Sequence, residues 1–252
     1  TNNLNMRANA GGANNTLTLN GTLQAKKITG DFTSNSGISI NMSGATITTL
    51  TGGGSSKLSG THTSTVGPGA FVSGLNSITA ATGTNFTLTS NSSAVAAAAY
   101  GSSRALRIDG GTITTSGTVT LEGKSSNSDG ILMISNGGLK NTGGTLTVTG
   151  SSTGSGGGGV NGINFQGGAF IQGTSSTANL KITGFTANSS ASAPETGAAF
   201  VGAGGIVGAG GGMARMVSGT VFSHSRRYHT GGIAGRPRLM PGEVPIIAKK
   251  GE

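Results

Sequence analysis

Between residues 86 and 183 one alternation returns in four places: Phe86-Thr-Leu88-Thr, Val119-Thr-Leu121-Glu, Leu146-Thr-Val148-Thr and Leu180-Lys-Ile182-Thr. Apolar side chains at every second position share one side of an extended chain, so each segment reads as a half-buried strand. Threonine on the other side is β-branched, which favours extended backbone while keeping that side soluble. Glycine closes three of the segments, at Gly123, Gly150 and Gly184. It is expected there as a turn residue with positive φ.

A second unit lies upstream of these ladders. Ile108-Asp-Gly-Gly-Thr-Ile113, Ile134-Ser-Asn-Gly-Gly-Leu139 and Phe165-Gln-Gly-Gly-Ala-Phe170 each hold two apolar anchors around a small polar centre, and Met42-Ser-Gly-Ala-Thr-Ile47 is a more distant copy. From Ile108 to Ile134 to Phe165 the steps are 26 and 31 residues; from Val119 to Leu146 to Leu180 they are 27 and 34. Two unlike units that advance together define an internal repeat. A repeat this short cannot bury its own apolar face, but stacking on its neighbours closes that face. The expected fold class is therefore all-β, a parallel β-solenoid. At roughly 4.8 Å between strands, about seven or eight coils would span on the order of 35 Å. Residues 151–162, SSTGSGGGGVNG, are expected to loop outward, and residues 90–105 to form a loop or a short helix.

Composition agrees with thin, repeated layers. Glycine fills 49 of 252 positions, tryptophan is absent and Phe plus Tyr number ten. The absence of cysteine excludes a disulfide framework and cysteine-based zinc sites. The chain reads as a fragment at both ends.

The segments LRIDGGTITTSGTVTLEGKSS, LMISNGGLKNTGGTLTVTGSS and NLKITGFTANSS resemble the passenger repeats of filamentous-haemagglutinin-type adhesins of two-partner secretion. The resemblance covers residues 1–198. It implies a right-handed β-helix, displayed on the bacterial surface or secreted, which contacts a host-cell or matrix surface. The family's amino-terminal secretion domain is not recognisable.

From residue 199 the pattern changes. Residues 199–225 are glycine-rich, with Gly204, Gly208 and Gly212 four apart. Such spacing suits helix packing in membranes, but the glycines leave the segment barely hydrophobic. A linker is expected rather than a membrane insertion. Residues 226–252 form an irregular, basic tail containing glycine and proline. Its order of elements resembles the carboxy-terminal region of tape measure proteins from long-tailed phages: His229 to Gly232, Glu243 to Pro245 and Ile246 to Glu252. That resemblance implies, as the alternative, a component of the virion tail with other tail proteins as partners. The helical length on which a tape depends is missing from residues 1–198.

Charge and candidate chemistry add little to these readings. Residues 199–252 hold seven Lys/Arg and two Glu, and six of the seven basic residues fall in separated pairs, Arg226/Arg227, Arg236/Arg238 and Lys249/Lys250. Only Tyr228 stands nearby to stack, so nucleic acid is not the expected partner. Carboxylates are thinly spread: Asp31, Asp109, Glu122, Asp129 and Glu195. Asp109 and Glu122 could share one coil, but glycoside chemistry needs two carboxylates facing one bond, and each reads more simply as a turn cap or solvated group. His224 and His229 read as loop residues, and His62 stands alone. No catalytic residue, cofactor or metal site is therefore assigned. The six Asn-x-Ser/Thr sequons, at Asn14, Asn20, Asn41, Asn85, Asn91 and Asn188, are about what 19 asparagines among 66 Ser and Thr would yield by chance.

Overall fold

The computed structural model describes residues 3–7, 14–35, 37–63, 68–93, 104–153 and 161–186, with side chains from residue 16. It also describes the strand backbones at 198–201, 205–207 and 214–216. All regular structure among these residues is β-strand. Successive coils contribute equivalent strands to three faces of a parallel β-solenoid.

The first face is a seven-stranded parallel sheet of Leu17–Leu19, Ile40–Ser43, Ala70–Ser73, Leu106–Asp109, Ile131–Ile134, Ile163–Gln166 and Ala198–Val201. The second face begins with Thr22–Ala25, Thr46–Thr49 and Leu75–Ala80, and the third with Asn3–Arg7, Lys27–Ser34, Ser55–His62 and Asn85–Ser92, the short strand Asn14–Asn15 pairing antiparallel to Lys27–Ser34. The long strands Thr112–Ser125 and Gly138–Ser152 run around the corner between those two faces and join them into one sheet. Phe170–Gly173 and Ala178–Thr186 continue the second and third faces.

Alternation along each strand becomes stacking between coils. On the third face, Phe86, Val119, Leu146 and Leu180 are register partners in one inward column; Leu58, Leu88, Leu121, Val148 and Ile182 form the next. On the first face, Met42, Val72, Ile108, Met133 and Phe165 stack in the same way. All these side chains are buried and belong to one continuous core. The four ladders found in the sequence thus stack on one another in register.

The structure corrects several expectations. Gly123 and Gly150 lie inside strands, stacked on each other with Gly184 continuing the column, and none has positive φ. Their reason is close approach: a Cβ on Gly123 would sit 2.2 Å from the Gly130 carbonyl oxygen, and one on Gly150 2.1 Å from that of Gly162. Positive φ falls instead at Gly117 and Gly144, where the long strands bend.

The turn unit was also set one residue out of step. Ile108 stacks on Met133 rather than Ile134, and Leu139 on Ile171 rather than Phe170. The turns after Met133 and Phe165 carry one residue more, accommodated by left-handed backbone at Ser135 and Asn136 and at Gly167 and Gly168. In the distant copy, Ile47 stacks on Ile78, which in turn faces Thr115 rather than Ile113. The inward place opposite Ile113 is taken by Asn76.

Ser90, Asn91 and Ser92 are part of strand Asn85–Ser92, so the expected loop or helix at 90–105 does not begin there. Ser151 and Ser152 likewise end a strand. The segment read as a linker, 199–225, carries short strands that add a further rung: Ala198–Val201, Gly205–Val207 and Ala214–Met216 pair with Ile163–Gln166, Phe170–Gly173 and Ala178–Thr186. The tail at 226–252, with His229 and its companion elements, lies outside the described residues, as do His224 and Glu195.

Candidate functional surface and the polar corners

Outward positions stack as regularly as inward ones. On the third face Thr29, Lys57, Thr87, Thr120, Thr147 and Lys181 make one column of register partners, and Asp31, Ser59, Thr89, Glu122, Thr149 and Thr183 the next. On the second face Thr22, Thr46, Ser77, Thr114, Lys140 and Gln172 form a similar column. Neighbouring members stand about 4.8 Å apart along the axis, the strand spacing of any sheet. The result is a grid of hydroxyls with lysines at Lys57, Lys140 and Lys181, all exposed. Some hydroxyls contact along the columns: Thr89 Oγ1 donates to Glu122 Oε2 at 3.4 Å, and Ser116 Oγ to Thr79 Oγ1 at 3.5 Å.

The carboxylates singled out in the sequence go to different places. Asp109 ends a strand of the first face and pairs with Arg107, whose guanidinium also lies 5.7 Å from the Phe71 ring centroid. Glu122 lies on the third face, so the coil that Asp109 and Glu122 share does not bring them to one site. Asp31 is exposed on the third face. Among the described residues, no three His, Cys, Asp or Glu side chains gather where they could hold a metal ion.

Asp129 is the exception to this dispersal, being 1% exposed. It stands at the corner leading into the first face, where backbone bonds from Ala105 N to Asp129 O and from Gly130 N to Asn161 O put Arg104, Asp129 and Asn161 in one column. Asn161 donates to Asp129 Oδ1 from its backbone N at 2.9 Å and from Nδ2 at 3.1 Å. Asn164 Nδ2 donates to Oδ2 at 3.0 Å, and Arg104 Nε lies 3.7 Å from the same oxygen. Burial pushes the carboxyl pKa upward, against the opposing pull of these hydrogen bonds and of the Arg104 charge.

The corner that leaves the third face holds a second polar column. Ser34, His62, Ser92, Ser125, Ser152 and Thr186 are successive register partners, all buried. Where the turn is short, the hydroxyl caps it: Ser34 Oγ accepts from Gly37 N at 3.0 Å, and Ser125 Oγ from Ser128 N at 2.9 Å. His62, read in the sequence as solitary, is a member of this column. Two asparagines secure the remaining corners. Asn76 Oδ1 accepts from Ala45 N at 2.8 Å, and Asn141 Nδ2 donates to the carbonyls of Gly144 and Asn179 at 3.1 and 3.0 Å. Sequence reasoning passed over Asp129, Asn141 and Asn161 as members of a site. The available signal was their place a fixed distance from a strand, but that distance can be measured only once the coils are aligned.

Comparison with protein-family models, with curated proteins and with solved structures returned no match to this chain.

Proposed function

We propose that this chain is the rod segment of a bacterial surface or secreted adhesin, working through multivalent contact rather than chemistry. The observation that carries the reading is the register of the outward columns, which sets hydroxyls of successive coils in line, as at Thr87, Thr120 and Thr147. A ligand with its own repeat, such as a host glycan or a matrix protein, would meet several equivalent positions at once, and weak contacts in series multiply. The passenger-like repeats at 1–198 point the same way and set the expected location at the cell surface or beyond it.

The test is binding of the whole chain to host cells and to immobilised matrix components. It is compared with a variant carrying Thr87→Ala, Thr120→Ala and Thr147→Ala together, its fold checked by circular dichroism. The combined variant should lose far more binding than any single substitution. Binding that is absent for the parent chain, or unchanged in the variant, would reject the reading. The order of elements in residues 226–252 favours a second reading, a phage tail component. It would replace the first if the chain co-sedimented with tail particles and bound no host surface.

A further inference from the structure

We propose that Arg104, Asp129, Asn161 and Asn164 form a proton-operated clasp that holds three successive coils and tightens on acidification. The inference is independent of the adhesin reading. Arg104 belongs to the coil of strand Leu106–Asp109, Asp129 to that of Ile131–Ile134, and Asn161 with Asn164 to that of Ile163–Gln166. One carboxylate therefore ties the coil on each side to its own.

The ionised clasp is an imperfect fit. A buried carboxylate gives up its hydration, and only close, complete pairing offsets that cost. Here the one facing charge among the described residues, Arg104, stands at 3.7 Å, beyond hydrogen-bond distance. In turning Nδ2 to the carboxylate, Asn164 leaves its own Oδ1 buried with no hydrogen-bond partner.

A proton on Asp129 eases both defects. The acid carries no charge to desolvate, it gives up only the attraction of Arg104 at 3.7 Å, and Oδ1 still accepts both bonds from Asn161. The new O–H can donate to the amide oxygen of Asn164 once that amide turns over. No atom has to leave its corner, so the switch acts on the strength of the joint and leaves the path of the chain unchanged.

The pH dependence follows from the direction of the shift. Burial raises the native pKa above the ordinary 3.8, so between the two values the native state holds more protons than the unfolded state. The stabilisation is complete below 3.8 and is lost as pH rises through the native value. This runs opposite to the usual carboxylate, which destabilises a fold when protonated.

Two measurements on the full chain test the clasp. Carbon-13 NMR of the Asp129 carboxyl should give a titration midpoint above 3.8, and Arg104→Gln, which removes the facing charge, should move it higher. The melting temperature of the parent chain relative to Asp129→Asn should climb as pH falls from neutral toward 4. A midpoint at or below 3.8, a midpoint indifferent to Arg104→Gln, or a melting difference that is flat or falls with acid would each overturn the proposal. Should Asp129→Asn fail to fold, the carboxyl titration decides alone.

Discussion

Leu121 offers the sharpest test of the stacked core. It is fully buried, and its register partners are Leu88 in the coil before and Val148 in the coil after. Leu121→Ala removes three carbon atoms, and at about 0.8 kcal/mol per buried methylene the lost transfer energy is about 2.4 kcal/mol. A cavity term adds to this, because Leu88 and Val148 are held at the strand spacing by ladders of backbone hydrogen bonds and cannot close the gap along the axis. The expected total is about 3–4 kcal/mol, inside the range of about 2–5 for such truncations. Against a domain stability of about 5–15 kcal/mol this is a large fraction. In a solenoid it falls on the interfaces with both neighbouring coils.

Urea titration followed by far-ultraviolet circular dichroism reads the effect, with Thr120→Ala as the control. Thr120 is the adjacent residue on the same strand, but it points outward and should change stability by no more than about 0.5 kcal/mol. If Leu121→Ala cost less than about 1 kcal/mol, or no more than the control, the stacking of these columns would be refuted.

Other consequences follow from the corners and the strands. Gly150→Ala places a methyl group 2.1 Å from the Gly162 carbonyl oxygen, and overpacking of this kind should cost about 1–3 kcal/mol or more by the same urea assay. A loss below about 0.5 kcal/mol would show that the corner yields freely. Asn141→Ala leaves the carbonyls of Gly144 and Asn179 without their side-chain donor. It should lower stability by about 1–3 kcal/mol, whereas an unchanged urea midpoint would mean that water replaces the amide at no cost. Lys57, Lys124 and Lys140 sit within paired strands. Native trypsin digestion read by mass spectrometry should leave the bonds after them intact, and early cutting at any of them would show that its coil is open.

The places where reading and structure part company share one cause. Turn units in the sequence are aligned by apolar anchors at a constant separation, whereas coils are matched by hydrogen bonding between strands. One extra residue in the turn at Ser135 and Asn136 sets the anchors Met133 and Leu139 six apart instead of five, without disturbing the strand beyond. Gly123 was assigned to a turn because glycine most often serves there. Its actual neighbour, the Gly130 carbonyl, lies across a corner that closes only when the coil is complete. Asp129 reads in the sequence as one dispersed carboxylate because its partners, Arg104 and Asn161, are 25 and 32 residues away.

Alternation is local. An apolar side chain at every second position leaves an extended chain one way to bury them, so inward and outward residues of the four ladders were legible from the sequence alone. The repeat was legible too, because a strand pair that cannot bury its own face needs neighbours like itself. Which residue stands above which was decided by tertiary structure. Register depends on the length of every turn around the coil, and a turn's length becomes a position in space only when the next strand pairs. The outward hydroxyl columns, the capped corners and the Asp129 clasp all exist at that level, as relations between coils.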